Sequence, residues 1–245
     1  MNSSIKKIVY EGKAKILYCS SDPKILIQHF KDDATANNAE KHAIIKSKGI
    51  LNNFISEYLM SKIEDNGIET HFIKRINQRE QLIKKVEIIP IELVVRNKAS
   101  GSIVKRYNLK ESLEFTDPLI EFFLKDDDLG DPLLNESHII EFKWANYEEI
   151  KLMKSLALKI NNILQNIFRN IGIELIDFKL EFGRVGDDKN KDKIILADEI
   201  SPDNCRLWDK KTRKKLDKDI FRKNLGNLID GYQEVLTRLG LKLIE

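Results

Sequence analysis

Residues 175–183, with the sequence LIDFKLEFG, restrict the fold more than any other part of this chain. Successive side chains of a β-strand point to opposite faces of the sheet. With this two-residue period, the apolar side chains fall on one face and the charged ones on the other. The apolar face has Phe178, Leu180 and Phe182, and the charged face has Asp177, Lys179 and Glu181. We therefore expect a strand that buries one face in the core and presents a row of charges on the other.

A second strand is predicted at residues 194–200, after a polar loop at residues 187–193. Antiparallel pairing of the two strands would place Asp198 beside Glu181 and a lysine. Two carboxylates suit Mg²⁺, which prefers oxygen ligands and takes one or two of them from protein alongside water and phosphates. The same pattern also fits a surface hairpin with Lys–Glu contacts, and spacing alone leaves both interpretations open.

The hydrophobic pattern of the first half is rich in β-structure. Residues 8–18 and 24–30 predict an antiparallel meander. The helical spacing of apolar side chains in residues 51–63 predicts a helix that packs on this meander. Residues 68–76 and 82–95 are β-rich again, and we expect Pro90 to mark a strand end or a crossing between lobes.

The second half is richer in helix. It is predicted to begin with a loop-rich region at residues 111–141. Apolar positions then predict a long helix over residues 150–171, with a capping-box pattern at residues 146–149, and a terminal helix over residues 221–239. Strands first and helices afterwards favour an α+β fold over a doubly wound α/β fold.

Composition excludes several classes of protein. The 245 residues are 42% hydrophobic and 33% charged, which is typical of a globular protein. The net charge of +3 is too small for nucleic-acid binding over the whole surface. The longest apolar runs are far shorter than the roughly 18 residues of a membrane span, and the first residues show no secretory pattern. Cys19 and Cys205 lie far apart without metal-binding spacing, so we expect a cytoplasmic protein.

The most basic segment is residues 209–223, in which eight Lys or Arg face three Asp. Its basic residues do not alternate with aromatic ones, and it has no nucleic-acid motif. A solvated turn and helix start is the simpler interpretation.

Three further segments could contact phosphate or sugar. In residues 11–15, EGKAK, glycine permits close backbone approach and two lysines can meet polyphosphate, although a hairpin with solvated lysines also fits. Residues 96–102 combine Arg, Ser and Gly, which are the residues that a phosphate monoester site requires. A basic connector is the alternative interpretation. Residues 198–206 crowd polar groups around a proline, which suits a hydroxylated ligand or an ordinary turn.

Several motifs, in order along nearly the whole chain, resemble the SAICAR synthetase family. The two longest are residues 89–102, which begin IPIELVVR and end GS, and LIDFKLEFG at residues 175–183. The others are YEGKAK at 10–15, KGILNN at 48–53, DP at 131–132 with NES at 135–137, DEISPD at 198–203 and RLWD at 206–209.

The resemblance implies an ATP-dependent ligase of purine biosynthesis. Its reaction joins the carboxylate of carboxyaminoimidazole ribonucleotide (CAIR) to the amine of L-aspartate and gives SAICAR, ADP and phosphate. It also implies a two-lobed fold, with an antiparallel β-rich nucleotide lobe at residues 1–87, a larger α+β lobe at residues 88–245 and the active site in the cleft between them. ATP and Mg²⁺ are the implied cofactors and a homodimer is the implied assembly, without nucleic acid or membrane as partners.

Matching motifs transfer the family's functional residues onto this chain. ATP is assigned to Gly12, Lys13, Ala14 and Lys15 at the phosphates and to Lys84, Lys85, Val86 and Glu87 around the adenine. Mg²⁺ is assigned to Glu181 and Asp198, and catalysis to Lys179, Lys13 and Asp177. The ribotide phosphate is assigned to Arg96, Ser102 and Arg206, and the ribose to Asp203.

The chain departs from the family pattern at two places. Residues 32–39 read DDATANNA, so that Asn37 and Asn38 replace more usual residues, and Ser100 replaces an alanine. The residues alone leave two alternatives open, an ATP-dependent small-molecule kinase and a nucleic-acid-binding module. ADP release that depends on aspartate would exclude the first, and the absence of salt-dependent nucleic-acid binding would exclude the second.

Overall fold

The structure is a computed structural model that describes residues 7–36, 41–186 and 193–243. Asn37, Asn38 and most of the polar loop at residues 187–193 lie outside the described residues. Within the described residues, no helix combines the length and apolar character that crossing a membrane requires.

The first part of the chain forms a five-stranded antiparallel sheet, a separate hairpin and one long helix. In chain order, the elements are β1 (Ile8–Glu11), β2 (Lys15–Cys19), β3 (Ile25–Phe30), β4 (Asp33–Ala36), β5 (Lys41–Ile44), α1 (Lys48–Asp65), β6 (Phe72–Arg75) and β7 (Glu80–Lys84). The sheet has the order β1-β2-β3-β7-β6, and β4 pairs with β5. The meander predicted from residues 8–30 is confirmed.

The second part forms a six-stranded antiparallel sheet with its helices. The elements are β8 (Glu87–Lys98), α2 (Ser102–Tyr107), β9 (Glu114–Leu124), β10 (Leu133–Leu134), α3 (Glu136–Glu141), α4 (Tyr147–Asn170), β11 (Ile173–Val185), β12 (Lys193–Ala197), β13 (Cys205–Asp209), α5 (Asp219–Arg222) and α6 (Leu228–Arg238). The order is β10-β9-β8-β11-β12, and β13 also pairs with β11. The predicted α+β class is confirmed.

Strand β11 lies at the centre of this sheet and has the two predicted faces. Phe178, Leu180 and Phe182 are at most 1% exposed and belong to the hydrophobic core. Antiparallel pairing with β12 places Glu181 opposite Ala197, and Asp198 follows directly. The predicted hairpin is therefore confirmed, with Asp198 at the end of the charged row.

Helix α4 covers the apolar face of this sheet, and its start matches the sequence prediction. The Asn146 side chain accepts a hydrogen bond from the Glu149 backbone, and the Glu149 side chain accepts one from the Asn146 backbone. This capping box satisfies amide groups that the first helical turn leaves without partners. Met153, Ile160 and Leu164 are buried in the core beneath the helix.

Pro90 does not end a strand, so the first of its two predicted roles is wrong. It lies inside β8, where the register with β11 shifts between the pairs Glu92–Glu181 and Ile88–Gly183. A bulge of this kind tolerates proline, because one backbone group of the ladder is already left unpaired there. The strand boundary instead falls at residues 85–86.

Two other sequence predictions also need correction. The region predicted as loop-rich contains the eleven-residue strand β9. Among its side chains only that of Phe122 is buried, so its own hydrophobic pattern does not indicate a strand. Pairing with β8 and β10 explains why it forms. The predicted terminal helix is divided into α5 and α6. Asn224 and Gly226 have φ values of 55° and 132°, which a helix cannot accommodate, and Asn227 caps the new start.

Candidate active site

A cavity of about 690 Å³ lies between the five-stranded sheet and the charged face of β11. Most residues assigned from the sequence line it, namely Gly12, Lys13, Ala14, Lys15, Lys84, Lys85, Val86, Arg96, Asp177, Lys179, Glu181, Asp198, Asp203 and Arg206. Ser102 lies behind Arg96, whose Nη2 donates to its Oγ at 3.3 Å. Glu87 pairs with Arg184 at 3.5 Å. The assigned residues thus converge on one cleft, and their individual roles stay predictions.

The turn between β1 and β2 supplies two lysines to this cavity. The backbone N–H of Gly12 donates to the Lys15 carbonyl at 2.9 Å and closes the turn. Lys15 Nζ donates to Asp198 Oδ1 and lies 3.2 Å from Glu199 Oε1. Burial lowers the pKa of Lys15 despite the opposing effect of Glu199. Lys13 Nζ donates to Asp127 Oδ1 at 2.7 Å on the other side of the cleft.

Lys179 occupies the middle of the charged face. Its Nζ donates to Glu92 Oε1 at 2.8 Å and to Glu181 Oε1 at 2.5 Å, and lies 3.3 Å from Asp198 Oδ2. Burial alone would lower the pKa of this ammonium, but Glu181 and Glu92 outweigh burial and raise the pKa above its ordinary value. The neighbouring carboxylates therefore favour the charged ammonium form of Lys179.

Glu181 is buried beside Lys179 and is ionised. Its Oε1 also accepts a hydrogen bond from Lys125 Nζ at 2.9 Å. Burial alone would raise the pKa of this carboxyl, but Lys179 and Lys125 outweigh burial and lower the pKa to about 2. Glu181 is thus a carboxylate at neutral pH, which is the form that binds metal ions.

The oxygens on this face fit a magnesium ion that is bound together with nucleotide phosphates. Glu181 and Asp198 supply hard carboxylate oxygens, and Glu199 adds a buried Oε2 that has no hydrogen-bond partner among the described residues. In the described part of the chain, no three Asp, Glu, His or Cys side chains form a complete metal cluster. Mg²⁺ does not require one, because phosphates and water complete its coordination.

Asp177 joins two arginines at the other end of the charged row. Its Oδ2 accepts hydrogen bonds from Arg96 Nη1 at 2.8 Å and from Arg206 Nη1 at 2.9 Å. Gly101 lies against Arg206, and a Cβ built at Gly101 would be only 2.4 Å from Arg206 Nη2. Two neighbouring guanidinium groups suit a phosphate monoester. Asp177 was assigned a catalytic role from the sequence, but its position favours orienting these arginines.

Asp203 is bound by two fully buried side chains from distant parts of the chain. Lys48 Nζ, at the start of α1, donates to Oδ2 at 2.5 Å, and Tyr232 Oη of α6 donates to Oδ1 at 2.5 Å. Burial alone would raise the pKa of Asp203, but Lys48 outweighs burial and lowers the pKa below its usual range. An ionised carboxylate only accepts hydrogen bonds, which matches the hydroxyl groups of a ribose.

Sequence reasoning assigned no role to several residues of this site, namely Glu92, Lys125, Lys48, Tyr232 and His71. Glu92 could have been found from strand pairing, because it lies opposite Glu181 on β8. Lys48 and Tyr232 reach the site from helices whose sequence pattern indicated only core packing. Their contacts with Asp203 join residues far apart in sequence, which periodicity does not reveal.

The basic segment at residues 209–223 is largely neutralised by its own lobe. Its ion pairs join Arg213 to Glu174, Arg222 to Asp219 and Lys223 to Glu111. Lys215 Nζ lies 3.0 Å from the centre of the Trp208 ring. These contacts favour the interpretation of a structural segment over that of a nucleic-acid surface.

Comparisons with known proteins agree with this geometry. The family model described as SAICAR synthetase matches residues 8–239. A protein of Wolbachia pipientis subsp. Culex pipiens (strain wPip), named phosphoribosylaminoimidazole-succinocarboxamide synthase, is 57% identical over 240 residues, which cover 98% of this chain and 99% of that protein.

Solved structures give the same result. The crystal structure of phosphoribosylaminoimidazole-succinocarboxamide synthase from Ehrlichia chaffeensis has a TM-score of 0.95 at 54% identity, and the match covers 97% of this chain and 100% of that one. A SAICAR synthetase in complex with ADP has a TM-score of 0.91 at 43% identity, and the match covers 98% of this chain and 100% of that one. On these matches, the chain belongs to the SAICAR synthetase family.

Proposed function

We propose that this chain is the ATP-dependent ligase of purine biosynthesis that joins the carboxylate of CAIR to the amine of L-aspartate. The products are SAICAR, ADP and phosphate. The observation that carries the proposal is the family match over residues 8–239, because the motif residues within that match converge on one cleft.

The first lobe, residues 1–87, would bind ATP. Lys13 and Lys15 lie at the cleft where the phosphates would bind, and residues 84–86 line the cavity where the adenine would pack. The ADP in one solved SAICAR synthetase supports a nucleotide site. The proposed division at residues 87–88 lies one residue inside β8, close to residues 85–86, which join the five-stranded to the six-stranded sheet.

The reaction requires activation, because a carboxylate is a poor acyl donor. We infer that a carboxylate oxygen of CAIR attacks the γ-phosphorus of ATP, which forms an acyl phosphate and breaks the bond to ADP. The amine of L-aspartate then attacks the acyl carbon, phosphate leaves with the carboxylate oxygen, and the new amide nitrogen loses its proton. Lys15 and Lys179 would neutralise the charge that moves during phosphoryl transfer.

Glu181 and Asp198 would hold Mg²⁺ in this site. Bound there, the ion would neutralise phosphate oxygens as a Lewis acid. The protein's own contribution is to keep Glu181 ionised and to hold both carboxylates in place through hydrogen bonds from lysines.

The second lobe, residues 88–245, would bind the ribotide. Arg96, Ser102 and Arg206 would contact its 5′-phosphate, because the two guanidinium groups lie together on Asp177 and the hydroxyl of Ser102 lies next to Arg96. Asp203 would accept hydrogen bonds from the ribose hydroxyls. Bound in this way, the ribotide would direct its base toward Lys179, where its carboxylate would react.

The cellular setting is also a proposal. Cys19 and Cys205 are both free thiols, which agrees with a reducing cytoplasm. A homodimer is expected from the family, and light scattering on the purified protein would measure it.

Product analysis tests the proposed function. The purified protein is incubated with ATP, Mg²⁺ and CAIR, with and without L-aspartate, and ADP and the ribotide product are measured. We expect ADP release and a succinocarboxamide product only when aspartate is present. ADP release without aspartate, together with a stable phosphorylated ribotide, would instead identify a kinase.

A further inference from the structure

The apolar end of the cavity contains an unusual histidine. Leu26, Ile83 and Val86 line this end, where β7 leads into β8. His71 immediately precedes β6, and its backbone is fixed on both sides. Its N–H donates to the Leu196 carbonyl at 2.8 Å, and its carbonyl accepts from the Lys84 N–H at 2.7 Å. The imidazole is therefore positioned next to the segment that would contact the adenine.

The imidazole of His71 lines the cavity but makes no hydrogen bond to the part of the chain that the structure describes. The residue is 3% exposed, and neither Nδ1 nor Nε2 has a partner among the described residues. Buried polar side chains are nearly always hydrogen-bonded in folded proteins, because an unpaired buried group destabilises the fold. Gln28 Nε2, on the same cavity, is also buried without a partner in the described chain. Both groups point to a polar ligand at this end.

The charge state of His71 restricts what that ligand group can be. Burial, and to a lesser extent Lys15, lowers the pKa of the imidazole to about 3. A neutral imidazole offers one N–H donor and one acceptor nitrogen. Lysines line the other end of the cavity, where the phosphates would bind. An uncharged imidazole would add little to phosphate binding. The edge of a purine base carries both hydrogen-bond donors and acceptors. The base itself is planar and suits the apolar end of the cavity.

We propose that the imidazole of His71 hydrogen-bonds the edge of the nucleotide base and so positions ATP in the cleft. This inference rests on the proposed function only in taking the nucleotide to be the occupant of the cavity. It adds to the adenine segment a side chain whose hydrogen-bonding groups are unpaired until the base is present.

Two substitutions separate the hydrogen bond from the shape of the residue. His71→Leu removes both ring nitrogens, and His71→Gln keeps a donor and an acceptor. His29→Leu is a control on strand β3 of the same sheet, because His29 faces Glu80 at 3.4 Å instead of the cavity. The binding of ADP to each variant is measured by titration calorimetry, which needs no turnover.

We expect His71→Leu to weaken ADP binding about tenfold, which is the usual cost of leaving one buried group unpaired. His71→Gln should recover most of the affinity, and His29→Leu should bind ADP as the wild type does. In the complete reaction, His71→Leu should raise the KM for ATP without lowering kcat. The KM for CAIR should not change.

A stability measurement distinguishes a binding role from a structural one. Because the ligand-free protein buries two unpaired nitrogens, His71→Leu should unfold at the same temperature as the wild type or at a higher one. A large drop in that temperature would identify His71 as a structural residue and contradict the proposal. Unchanged ADP affinity in His71→Leu, or a fall in kcat with unchanged KM, would also contradict it. Failure of the wild type to bind ADP would instead contradict the proposed function itself.

Discussion

Gly101 makes room for Arg206 in the proposed ribotide site. The residue has a φ of +68°, a conformation that favours glycine, and the Arg206 guanidinium occupies the space of a side chain at that position. Gly101→Ala should therefore destabilise the protein by about 1 kcal/mol and displace Arg206. The loss of a charged hydrogen bond to the ribotide phosphate should raise the KM for CAIR about tenfold or more.

Gly67→Ala is the control for this substitution. Gly67 has a φ of +78°, and a Cβ there would meet no atom within 4 Å. Gly101→Ala should lose at least as much stability in urea unfolding as Gly67→Ala, because displacing Arg206 also breaks its hydrogen bond to Asp177. Only Gly101→Ala should change the KM for CAIR. Equal KM values in the two variants would show that Arg206 does not bind the ribotide.

Glu181 and Asp198 can be tested as metal ligands by removing single charges. Glu181→Gln and Asp198→Asn keep the shape of each side chain but weaken its bond to a cation. We expect turnover to fall about a hundredfold and the Mg²⁺ concentration for half-maximal rate to rise. Glu57→Gln, a surface control that pairs with Arg75 at 2.6 Å, should leave both unchanged. Near-normal Mg²⁺ dependence in both site variants would contradict the metal assignment.

The buried histidine should also make stability depend on pH. The folded state holds the pKa of His71 at about 3, below the ordinary 6.5, because of burial and the nearby Lys15, and despite Glu181. As pH falls below 6.5, the unfolded chain binds this proton first, so the free energy of unfolding decreases. Relative to His71→Gln, the wild type should lose about 2 kcal/mol between pH 7 and pH 5. Parallel pH profiles from urea unfolding would show that His71 is not buried as described.

At the scale of elements, the sequence predicted best the structure that short-range periodicity determines. The alternation of residues 175–183 identified β11 and its charged face, because a two-residue period is specific to a strand that is buried on one side. The capping box at residues 146–149 located the start of α4. Both features depend on residues that are near neighbours in the chain.

Elements that depend on distant partners were not predicted. Strand β9 has few buried side chains and is stabilised by pairing with β8. Pro90 looked like a strand end because its bulge exists only in the register of β8 with β11. The need for glycine at position 183 also comes from a distant partner, because a Cβ there would be 2.4 Å from Val86 Cγ2. The glycine lets β11 approach the segment that leads into β8.

Helices α1 and α6 jointly position Asp203, and the second contact can be tested alone. Tyr232→Phe removes only the hydroxyl that donates to Asp203. A hydrogen bond to a buried charge contributes about 1.5–3 kcal/mol, so the free energy of unfolding should fall by about that amount. The KM for CAIR should rise while kcat stays the same.

Tyr147→Phe is the matched control, because Tyr147 is 60% exposed. It should leave stability and KM unchanged. A Tyr232→Phe variant that loses stability but keeps the wild-type KM would show that the hydroxyl supports the fold without positioning Asp203 for the ribose.

At the scale of the whole molecule, the site exists because two sheets contribute opposite walls of one cavity. The five-stranded sheet brings Lys13 and Lys15, and the six-stranded sheet brings Lys179 and Glu181. Lys15 Nζ meets Asp198 across this boundary. The sequence motifs predicted which residues take part, but the opposition of the two walls is visible only in the folded chain.

In the proposed mechanism, this cleft transfers a phosphoryl group to the ribotide carboxylate before the amine attacks. The most direct measurement uses CAIR with heavy oxygen in its carboxylate, together with ATP and L-aspartate, and determines the mass of the released phosphate. An acyl phosphate predicts that the phosphate carries one heavy oxygen and that the other remains in the amide of SAICAR. Unlabelled phosphate would contradict this order of bond making and breaking.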